Sequence, residues 1–409
     1  MKLLEGVRVV ELGLWVAGPA TAGILADWGA EVVKIEMTSG DPMRRLFTAV
    51  YGMDEQRCPP FELYNRGKRS VALDINHPEG LALVHRLVDT ADVFLTNMRP
   101  KFLSRVKLDF ESLRARNPGL VYASLTAYGL EGPDADAPGY DMAAFSGRSG
   151  IAERTTPKGA TPPTLPGGLG DNVSAMTMVA GIMGALFHRQ RTGEGQMVST
   201  SLLRAGVYSI GMDVSARLGL GRAASPPPRE KPHNPLMNNY RAGDGKWFWL
   251  VGAESQRHWP GTLAALGCPE LEHDPRFATA RDRRQNAAEL VQIFDAHTAQ
   301  KTRAEWAEVF AAHDVWWAPI NSIHDIMTDP QVIAAGAYTR IPEEPGGPLP
   351  EAFNAVATPI DFSLTPSHPI APSPAIGADA DALLNSLGIT QEEIEGLRAR
   401  GVLAARPQS

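Results

Sequence analysis

The chain has 409 residues, of which 44% are hydrophobic and 21% charged, with a formal net charge of -7. This length predicts two or three domains, or one domain with a large insertion. The acidic balance and the lack of a dominant basic patch argue against a nucleic-acid-binding protein. Two cysteines, Cys58 and Cys268, in different contexts argue against a zinc site or a redox pair. The histidines show no metal-binding spacing, so a metal site is weakly supported. We also expect no tightly bound cofactor.

An apolar run near the start, Leu12–Ala26, superficially resembles the apolar part of a signal peptide. Charged residues at Glu5, Arg8 and Glu11 precede it, and Pro19 interrupts it. The run is also too short to span a bilayer. We find no other segment of membrane length. Together with the few cysteines, which fit a reducing compartment, this predicts a cytoplasmic protein without membrane association.

Strand-like and helix-like segments alternate in the first third of the chain. The predicted strands are Val7–Leu12, Glu31–Glu36, Ser70–Leu73, Asp92–Thr96 and Leu120–Thr126. The predicted helices between them are Ala20–Trp28, Pro78–Val88 and Phe110–Arg116. Such alternation predicts an α/β fold with a mostly parallel sheet.

The middle of the chain changes character. A loop rich in glycine and proline, Thr161–Asp171, leads into Val173–Phe187, which is apolar nearly all round and is predicted to be a buried helix. A strand is predicted at Met197–Leu203.

Two proline-rich crossings, Ala223–Pro235 and Glu343–Glu351, are candidate linkers. Between them the pattern predicts a hairpin over Tyr240–Val251 and helices within Ala287–Phe310, and after them a helical tail over Asp379–Ala399.

The first strand, loop and helix are followed by a strand that ends in Glu36, where a dinucleotide-binding fold places an acidic residue. The loop Gly13–Pro19 contains no G-x-G-x-x-G, and Pro19 lacks a donor amide for a pyrophosphate. An ordinary α/β unit is therefore favoured over an NAD site, and a dehydrogenase is left as a remote alternative.

Asp171 follows Gly167, Gly168 and Gly170 and precedes the apolar helix. From spacing alone, an ordinary helix N-cap is the favoured interpretation. The alternative is a nucleophile, because a helix N-terminus stabilises a carboxylate as the anion and neighbouring glycines let a ligand approach closely. An ionised, accessible carboxylate is what attack on an acyl group requires.

Asn97, Arg99 and Arg105 follow the predicted strand Asp92–Thr96. Loops at the carboxyl ends of parallel strands form the ligand crevice of an open α/β sheet, and arginine suits phosphate. Solvated surface arginines are the alternative interpretation.

Six segments occur together and in order along the chain: Leu4–Glu11, Ala17–Pro19, Gly29–Glu36, Asn65–Ser70, Gly170–Asp171 and Arg191–Gln196. In this combination the chain resembles the family III CoA transferases, the group that includes formyl-CoA transferase and carnitine CoA-transferase. The match covers about the first half of the chain, and the second half fits more loosely.

The resemblance implies that Asp171 attacks an acyl-CoA thioester, such as succinyl-CoA or another short-chain acyl-CoA. CoA then passes to an acceptor carboxylic acid through an aspartyl anhydride and an aspartyl-CoA thioester, so that coenzyme A is a substrate. The residues implied to bind CoA or to form the active site are Val16, Ala17, Asn97, Arg99, Arg105 and Tyr140, with Gly168 and Gly170 beside the nucleophile.

The resemblance further implies a large Rossmann-like α/β domain built from residues 1–222 and 336–409, with a smaller α+β domain over residues 223–335. It also implies an interlocked homodimer, in which each chain threads through the other.

Related 2-methylacyl-CoA racemases use a histidine before an aspartate as a second acid or base. Here that pair is Tyr140 and Asp141, and a tyrosine, with its high ordinary pKa, is a poor base for an α-proton. Transfer is therefore favoured over racemisation. A non-catalytic CoA- or nucleotide-binding protein is the alternative from another class, and the intact Asp171 among its glycines argues against it.

Overall fold

The computed structural model describes residues 2–51, 58–222, 226–343 and 352–407. The chain forms two compact units: the first is Met1–Glu153, Pro163–Arg222 and Gly336–Ser409, and the second is Arg154–Pro162 and Ala223–Ala335. Arg154–Pro162 thus groups with the second unit, whereas the sequence assigned it to the large domain. The second predicted linker, Glu343–Glu351, lies outside the described residues apart from Glu343.

A six-stranded, all-parallel sheet forms the centre of the first unit, in the order β3-β2-β1-β4-β5-β6. Its strands are β1 (Arg8–Leu12), β2 (Glu31–Glu36), β3 (Arg69–Ala72), β4 (Val93–Thr96), β5 (Val121–Thr126) and β6 (Met197–Ser201). Buried, β-branched runs such as Val-Val in β1 and β2 suit strands that are covered on both faces. The predicted α/β class with a mostly parallel sheet is confirmed.

Helices flank this sheet and build most of the second unit. In chain order they are α1 (Ala17–Asp27), α2 (Leu46–Tyr51), α3 (Pro59–Asn65), α4 (Pro78–Asp89), α5 (Pro100–Arg105), α6 (Phe110–Arg114), α7 (Ile151–Arg154), α8 (Leu169–Thr192), α9 (Leu202–Ser209), α10 (Gly211–Leu220), α11 (Ser255–Leu266), α12 (Ala280–Gln285), α13 (Ala287–Thr298), α14 (Arg303–Ala312), α15 (Ile323–Ile326), α16 (Pro330–Ala334), α17 (Ala380–Ser386) and α18 (Gln391–Ala399). Short 3₁₀ helices occur at Pro42–Arg45 and Pro269–His273, and a π-helix at Met142–Gly147.

Each face of the parallel sheet has its own hydrophobic core, because successive side chains of a strand point to opposite faces. Val10 packs into a core that includes residues of α4, α17 and α18. Its neighbour Val9 packs into the other core, which includes residues of α1 and α8. The C-terminal helices therefore return to the sheet that the N-terminal part of the chain begins.

The long helix α8 is longer than the predicted Val173–Phe187 and is not buried all round. It packs along one side against α1, β5 and β6, while Val173 and Phe187 are exposed. By length and composition alone, it is long and apolar enough to cross a membrane, so the expectation that no segment reaches membrane length is wrong. Many core helices meet the same criterion, because apolar packing and length suffice for it.

The predicted strand Met197–Leu203 ends two residues early, at Ser201. The Ser201 side chain accepts a hydrogen bond from the Arg204 backbone N–H and begins α9 as its N-cap. Serine at this position stabilises a helix start, so the chain changes from strand to helix at that residue.

In the second unit, the predicted hairpin is confirmed as β7 (Asn239–Arg241) and β8 (Trp247–Leu250), which are joined in an antiparallel sheet by β9 (Trp317–Pro319). Its core is rich in aromatic side chains, and Trp259 and Trp306 are almost fully buried. A separate antiparallel pair in the first unit is formed by β10 (Tyr338–Ile341) and β11 (Phe353–Val356).

Candidate active site

A cavity of about 390 Å³ lies at the carboxyl ends of β1 and β4 in the first unit. In this strand order the chain winds to one side from β1 through β2 to β3, and to the other side from β4, so β1 and β4 flank the point of reversal. Ligands of open α/β sheets bind at such a point. The cavity is lined by Leu14, Trp15, Val16, Ala17, Asn97, Met98, Arg99, Pro100, Leu125, Thr126, Ala127, Ala135, Ala137, Pro138, Gly139, Tyr140, Asp171 and Leu202.

The structure brings most of the sequence-predicted site residues to this cavity. The predicted residues that line it are Val16, Ala17, Asn97, Arg99, Tyr140 and Asp171. Gly168 and Gly170 lie at the N-terminus of α8, beside Asp171. Arg105 lines a second cavity, of about 370 Å³, which shares Arg99 with the first.

This second cavity is strongly basic. Arg99, Lys101 and Arg105 line it together with Phe102 and Asp136. The Arg105 guanidinium lies 5.3 Å from the centre of the Phe102 ring, so one face of the cation is covered by an aromatic side chain. Three cations around one cavity suit a phosphate-bearing ligand. Lys101 was not predicted from the sequence as a site residue, although it lies between the two arginines that were.

The loop after β1 forms one wall of the first cavity, and Asn97 holds it. The Leu14 backbone N–H donates to Asn97 Oδ1 at 3.0 Å, and Asn97 Nδ2 donates to the Leu14 carbonyl at 2.8 Å. Trp15 adopts a φ of 64°, a left-handed conformation that is unfavourable for a bulky residue. Its backbone N–H donates to Asp41 Oδ1 at 3.2 Å. Asn97 thus uses both polar atoms of its side chain to fix the cavity wall.

Beneath this loop lies a set of fully buried charges, Glu11, Lys34, Asp41 and Lys68, which we call the buried ion network. Lys34 Nζ lies 3.1 Å from Glu11 Oε1 and 3.0 Å from Asp41 Oδ2, and donates to the Gly13 carbonyl at 3.0 Å. Lys68 Nζ lies 2.7 Å from Glu11 Oε2. The network therefore holds the loop backbone at two points: Lys34 binds the Gly13 carbonyl, and Asp41 binds the Trp15 amide.

The pKa values within this network reflect both burial and pairing. Burial opposes the Lys34 ammonium, but Glu11, Asp41 and Glu36 outweigh it and raise the pKa of Lys34. For Lys68, burial outweighs the attraction of Glu11 and lowers the pKa to about 8. Both lysines therefore remain mainly protonated at neutral pH, and the carboxylates of the network face cations.

The N-terminus of α8 is arranged differently from the predicted N-cap. Gly168, with a φ of 79°, occupies the N-cap position, and Asp171 is the third residue of the helix. The capping role predicted for Asp171 is therefore wrong. Instead, the Asp141 carboxylate accepts the Gly170 backbone N–H, at 3.1 Å to Oδ1 and 3.2 Å to Oδ2.

Close packing at this turn requires glycine at position 170. A Cβ atom there would lie 2.1 Å from the Phe145 ring and 2.4 Å from Asp141 Oδ1, well inside van der Waals contact. The absence of a side chain at Gly170 thus allows the carboxylate of Asp141 to reach the helix backbone.

Burial and, to a smaller extent, the nearby Asp141 carboxylate together raise the pKa of Asp171 to about 7. With a pKa of about 7, Asp171 is protonated in a large part of the molecules near and below neutral pH, contrary to the expectation that the helix N-terminus keeps it ionised. Burial also raises the pKa of Asp141, against the opposing effect of backbone amides at Gly170, Gly168 and Leu169. In the described part of the chain, neither carboxylate forms an ion pair.

Two residues of this region were not identified as site residues from the sequence. Tyr64, at the end of α3, lies near both carboxylates, and burial, Asp171 and Asp141 raise its pKa while an interaction with Asn172 lowers it. Asp141 was considered only as part of a racemase pair. The signal for Tyr64 was its place directly before the segment Asn65–Ser70, and for Asp141 its place directly after Tyr140.

Comparison with known proteins agrees with this geometry. Residues 4–380 match CoA-transferase family III, and the chain belongs to this family. It is 32% identical to (R)-2-hydroxy-4-methylpentanoate CoA-transferase of Clostridioides difficile, over 97% of this chain and 98% of the relative. It is 34% identical to succinate–glutarate CoA-transferase of Agrobacterium fabrum, over 94% of this chain and 95% of the relative.

Among solved structures, a CAIB/BAIF family protein from Brucella suis is similar, with a TM-score of 0.81 and 32% sequence identity. That likeness covers 94% of this chain and 99% of the other. The relatives and the family together establish that this protein is an enzyme that transfers coenzyme A.

Proposed function

We propose that Asp171 is the covalent nucleophile that carries CoA from a short-chain acyl-CoA to an acceptor carboxylic acid. The observation that carries this proposal is the position of Asp171. It is a largely buried carboxylate without an ion pair among the described residues, and it lines a cavity that shares Arg99 with a basic cavity. Burial raises the basicity of a carboxylate and removes the water that competes with an acyl donor.

The carboxylate of Asp171 attacks the donor thioester carbonyl, expels CoA as the thiolate and forms a mixed anhydride. The thiolate attacks the Asp171 carbonyl carbon, which releases the donor acid as a carboxylate and leaves an aspartyl-CoA thioester. The acceptor carboxylate attacks this thioester and expels the thiolate, which then attacks the acceptor carbonyl of the second anhydride. The products are a new acyl-CoA and the regenerated Asp171 carboxylate.

We propose that Arg99, Lys101 and Arg105 bind the phosphate-bearing end of CoA, since they surround one cavity and carry three positive charges. The thioester end then extends past Val16, Ala17 and Tyr140 toward Asp171, all of which line the adjoining cavity. Tyr140 is 64% exposed and contacts Trp15 edge to face, with 6.1 Å between the ring centres. It is therefore free to pack against a ligand.

Relatives named for 2-hydroxy-4-methylpentanoate, for succinate and glutarate, and for succinyl-CoA with D-citramalate support small carboxylic acids as the substrate class. Succinyl-CoA is our proposed donor. We also propose a cytoplasmic homodimer in which CoA acts as a substrate and no tightly bound cofactor takes part. The exposed apolar side chains of Tyr208, Met212, Leu218 and Leu220 on α9 and α10 support a subunit interface.

The experiment is incubation with succinyl-CoA and a panel of acids, with mass spectrometry of both the CoA products and the intact protein. We expect new acyl-CoA products and a CoA adduct on Asp171. Asp171→Asn removes the nucleophile at nearly constant shape, so exchange falls by at least about 10⁴-fold and the adduct disappears. The matched control is Glu131→Gln, which neutralises an exposed carboxylate and leaves exchange unchanged. Full exchange by Asp171→Asn contradicts the mechanism, and loss of α-proton stereochemistry without exchange indicates a racemase.

A further inference from the structure

The amides at the start of α8 are bound by a carboxylate from elsewhere in the chain. The first backbone N–H groups of a helix have no partner within the helix, and an acidic residue in the first turn commonly turns back to bind them. Here Gly168 at the N-cap has no side chain, and the Gly170 N–H donates to Asp141, which is 29 residues away in sequence. Burial raises the pKa of Asp141, and the nearby backbone amides of Gly168 and Leu169, together with that of Gly170, lower it against this effect.

We infer that Asp141 is a positioning residue for the reaction. Because Asp141 binds the backbone at the start of α8, the Asp171 carboxylate does not turn back to bind these amides and is directed into the cavity. This inference rests on the proposed role of Asp171 as the nucleophile. Asp141 itself does not line the cavity, whereas Asp171 does. Asp141 thus binds the helix backbone, while Asp171 lines the cavity.

The packing fixes this division rigidly. Gly170 brings the helix backbone against both the Phe145 ring and Asp141 Oδ1, with no room for a Cβ atom. Phe145 belongs to the π-helix Met142–Gly147, which begins directly after Asp141, and its side chain is buried in a hydrophobic core. The carboxylate of Asp141 thus comes from a segment that is anchored in the core, and its distance from the helix start is set by that packing.

The same arrangement places charge beside the nucleophile. The groups that face Asp171 are Asp141 from the turn before the π-helix, Tyr64 from α3, and Arg99 and Tyr140 across the cavity. Arg99 forms no ion pair with Asp171 in the described residues. Asp141 therefore increases the proton affinity of Asp171, which makes its carboxylate more basic once ionised.

The test compares Asp141→Asn with Asp141→Ala in the full-length enzyme, with wild type and Glu131→Gln measured beside them. The asparagine keeps an oxygen that accepts the Gly170 N–H but has no charge. We expect Asp141→Asn to keep most of kcat and to move the acidic limb of the pH–rate profile to lower pH. Asp141→Ala frees the amides for Asp171, so kcat falls by about 10²-fold while KM for the acyl-CoA changes little.

A purely structural role predicts a different pattern, in which both variants lower Tm and neither moves the pH profile. An unchanged acidic limb in Asp141→Asn overturns the inference even where Asp141→Ala fails to fold. A fall in kcat/KM that comes entirely from KM overturns it as well. Failure of the proposed nucleophile is separate, because it appears as exchange that persists in Asp171→Asn, whatever the Asp141 variants do.

Discussion

Two groups of carboxylates lie close to one cavity in this enzyme, and their surroundings differ in one respect. In the buried ion network, Glu11 and Asp41 are fully buried and each faces a lysine at 3.1 Å or less. At the start of α8, Asp141 and Asp171 face each other with no ion-pair partner among the described residues. Buried charges that are paired hold a backbone in place, whereas an unpaired carboxylate keeps a perturbed pKa that chemistry can use.

The largest effect on stability is expected from removing a cation of the buried ion network. Lys34→Met leaves Glu11 and Asp41 buried with Lys68 as the only cation of the network, and it removes the donor to the Gly13 carbonyl. We expect a loss of about 3 to 5 kcal/mol in the free energy of unfolding, measured by urea denaturation.

The control for that variant is Arg116→Met, which removes an exposed ion pair with Asp89 and costs less than about 1 kcal/mol. Equal losses in the two variants would show that burial of the network has no special consequence.

An intermediate effect of opposite sign, an increase in stability, is expected from neutralising Asp171, which has no ion-pair partner among the described residues. The folded-state pKa of Asp171, about 7, lies above its ordinary value of 3.8, so its ionisation opposes folding. Stability contributed by the protonated form is present below pH 4 and is lost as the pH rises through about 7. Asp171→Asn abolishes this loss, and we expect it to be more stable than wild type at pH 8 by about 1 to 2 kcal/mol, since partial exposure reduces the full linkage value.

The measurement is the free energy of unfolding of both proteins at pH 5 and pH 8. The difference between Asp171→Asn and wild type should grow with pH, while Glu131→Gln stays parallel to wild type. A difference that is constant with pH contradicts the raised pKa of Asp171.

The smallest effect is expected in the basic cavity, whose cations are proposed to bind the phosphates of CoA. Arg105→Gln removes one of the three cations of the basic cavity. We expect KM for succinyl-CoA to rise about 10-fold, close to 1.4 kcal/mol, with kcat and the pH profile unchanged. Succinyl-pantetheine, which lacks the nucleotide and its phosphates, should be used equally by both enzymes.

Arg114→Gln is the matched control for that variant, because Arg114 also lies over a phenylalanine ring, that of Phe110, but does not line the cavity. An equal penalty for the two substrates in Arg105→Gln would contradict phosphate binding at this site.

The parallel sheet and most of the cavity could be predicted from sequence because they rest on local patterns. The buried strand Glu31–Glu36, for example, begins and ends at the residues predicted for it from the sequence. Asn97 and Arg99 could be predicted as site residues because they come just after a strand, and the carboxyl ends of parallel strands meet at one edge of the sheet.

The environment of Asp171 could not be predicted in the same way. Its helix is capped by Asp141 through a contact across 29 residues, and no local spacing encodes that contact. The raised pKa likewise depends on burial and on Asp141, both of which are tertiary properties. Local spacing therefore favoured Asp171 as the N-cap, although the carboxylate that binds the helix start is that of Asp141, which the sequence pattern paired with Tyr140.

Asn97 also makes the turn after β1 differ from that of a dinucleotide-binding fold. In a dinucleotide-binding fold, the turn after the first strand offers its free amides to a pyrophosphate. Here the Leu14 amide is already bound by Asn97, the Trp15 amide is bound by Asp41, and Pro19 has no amide to offer. Two of the amides in this turn are therefore already occupied by side chains from elsewhere in the fold. One asparagine at the end of a neighbouring strand thus occupies a backbone amide that a dinucleotide-binding fold would offer to a diphosphate.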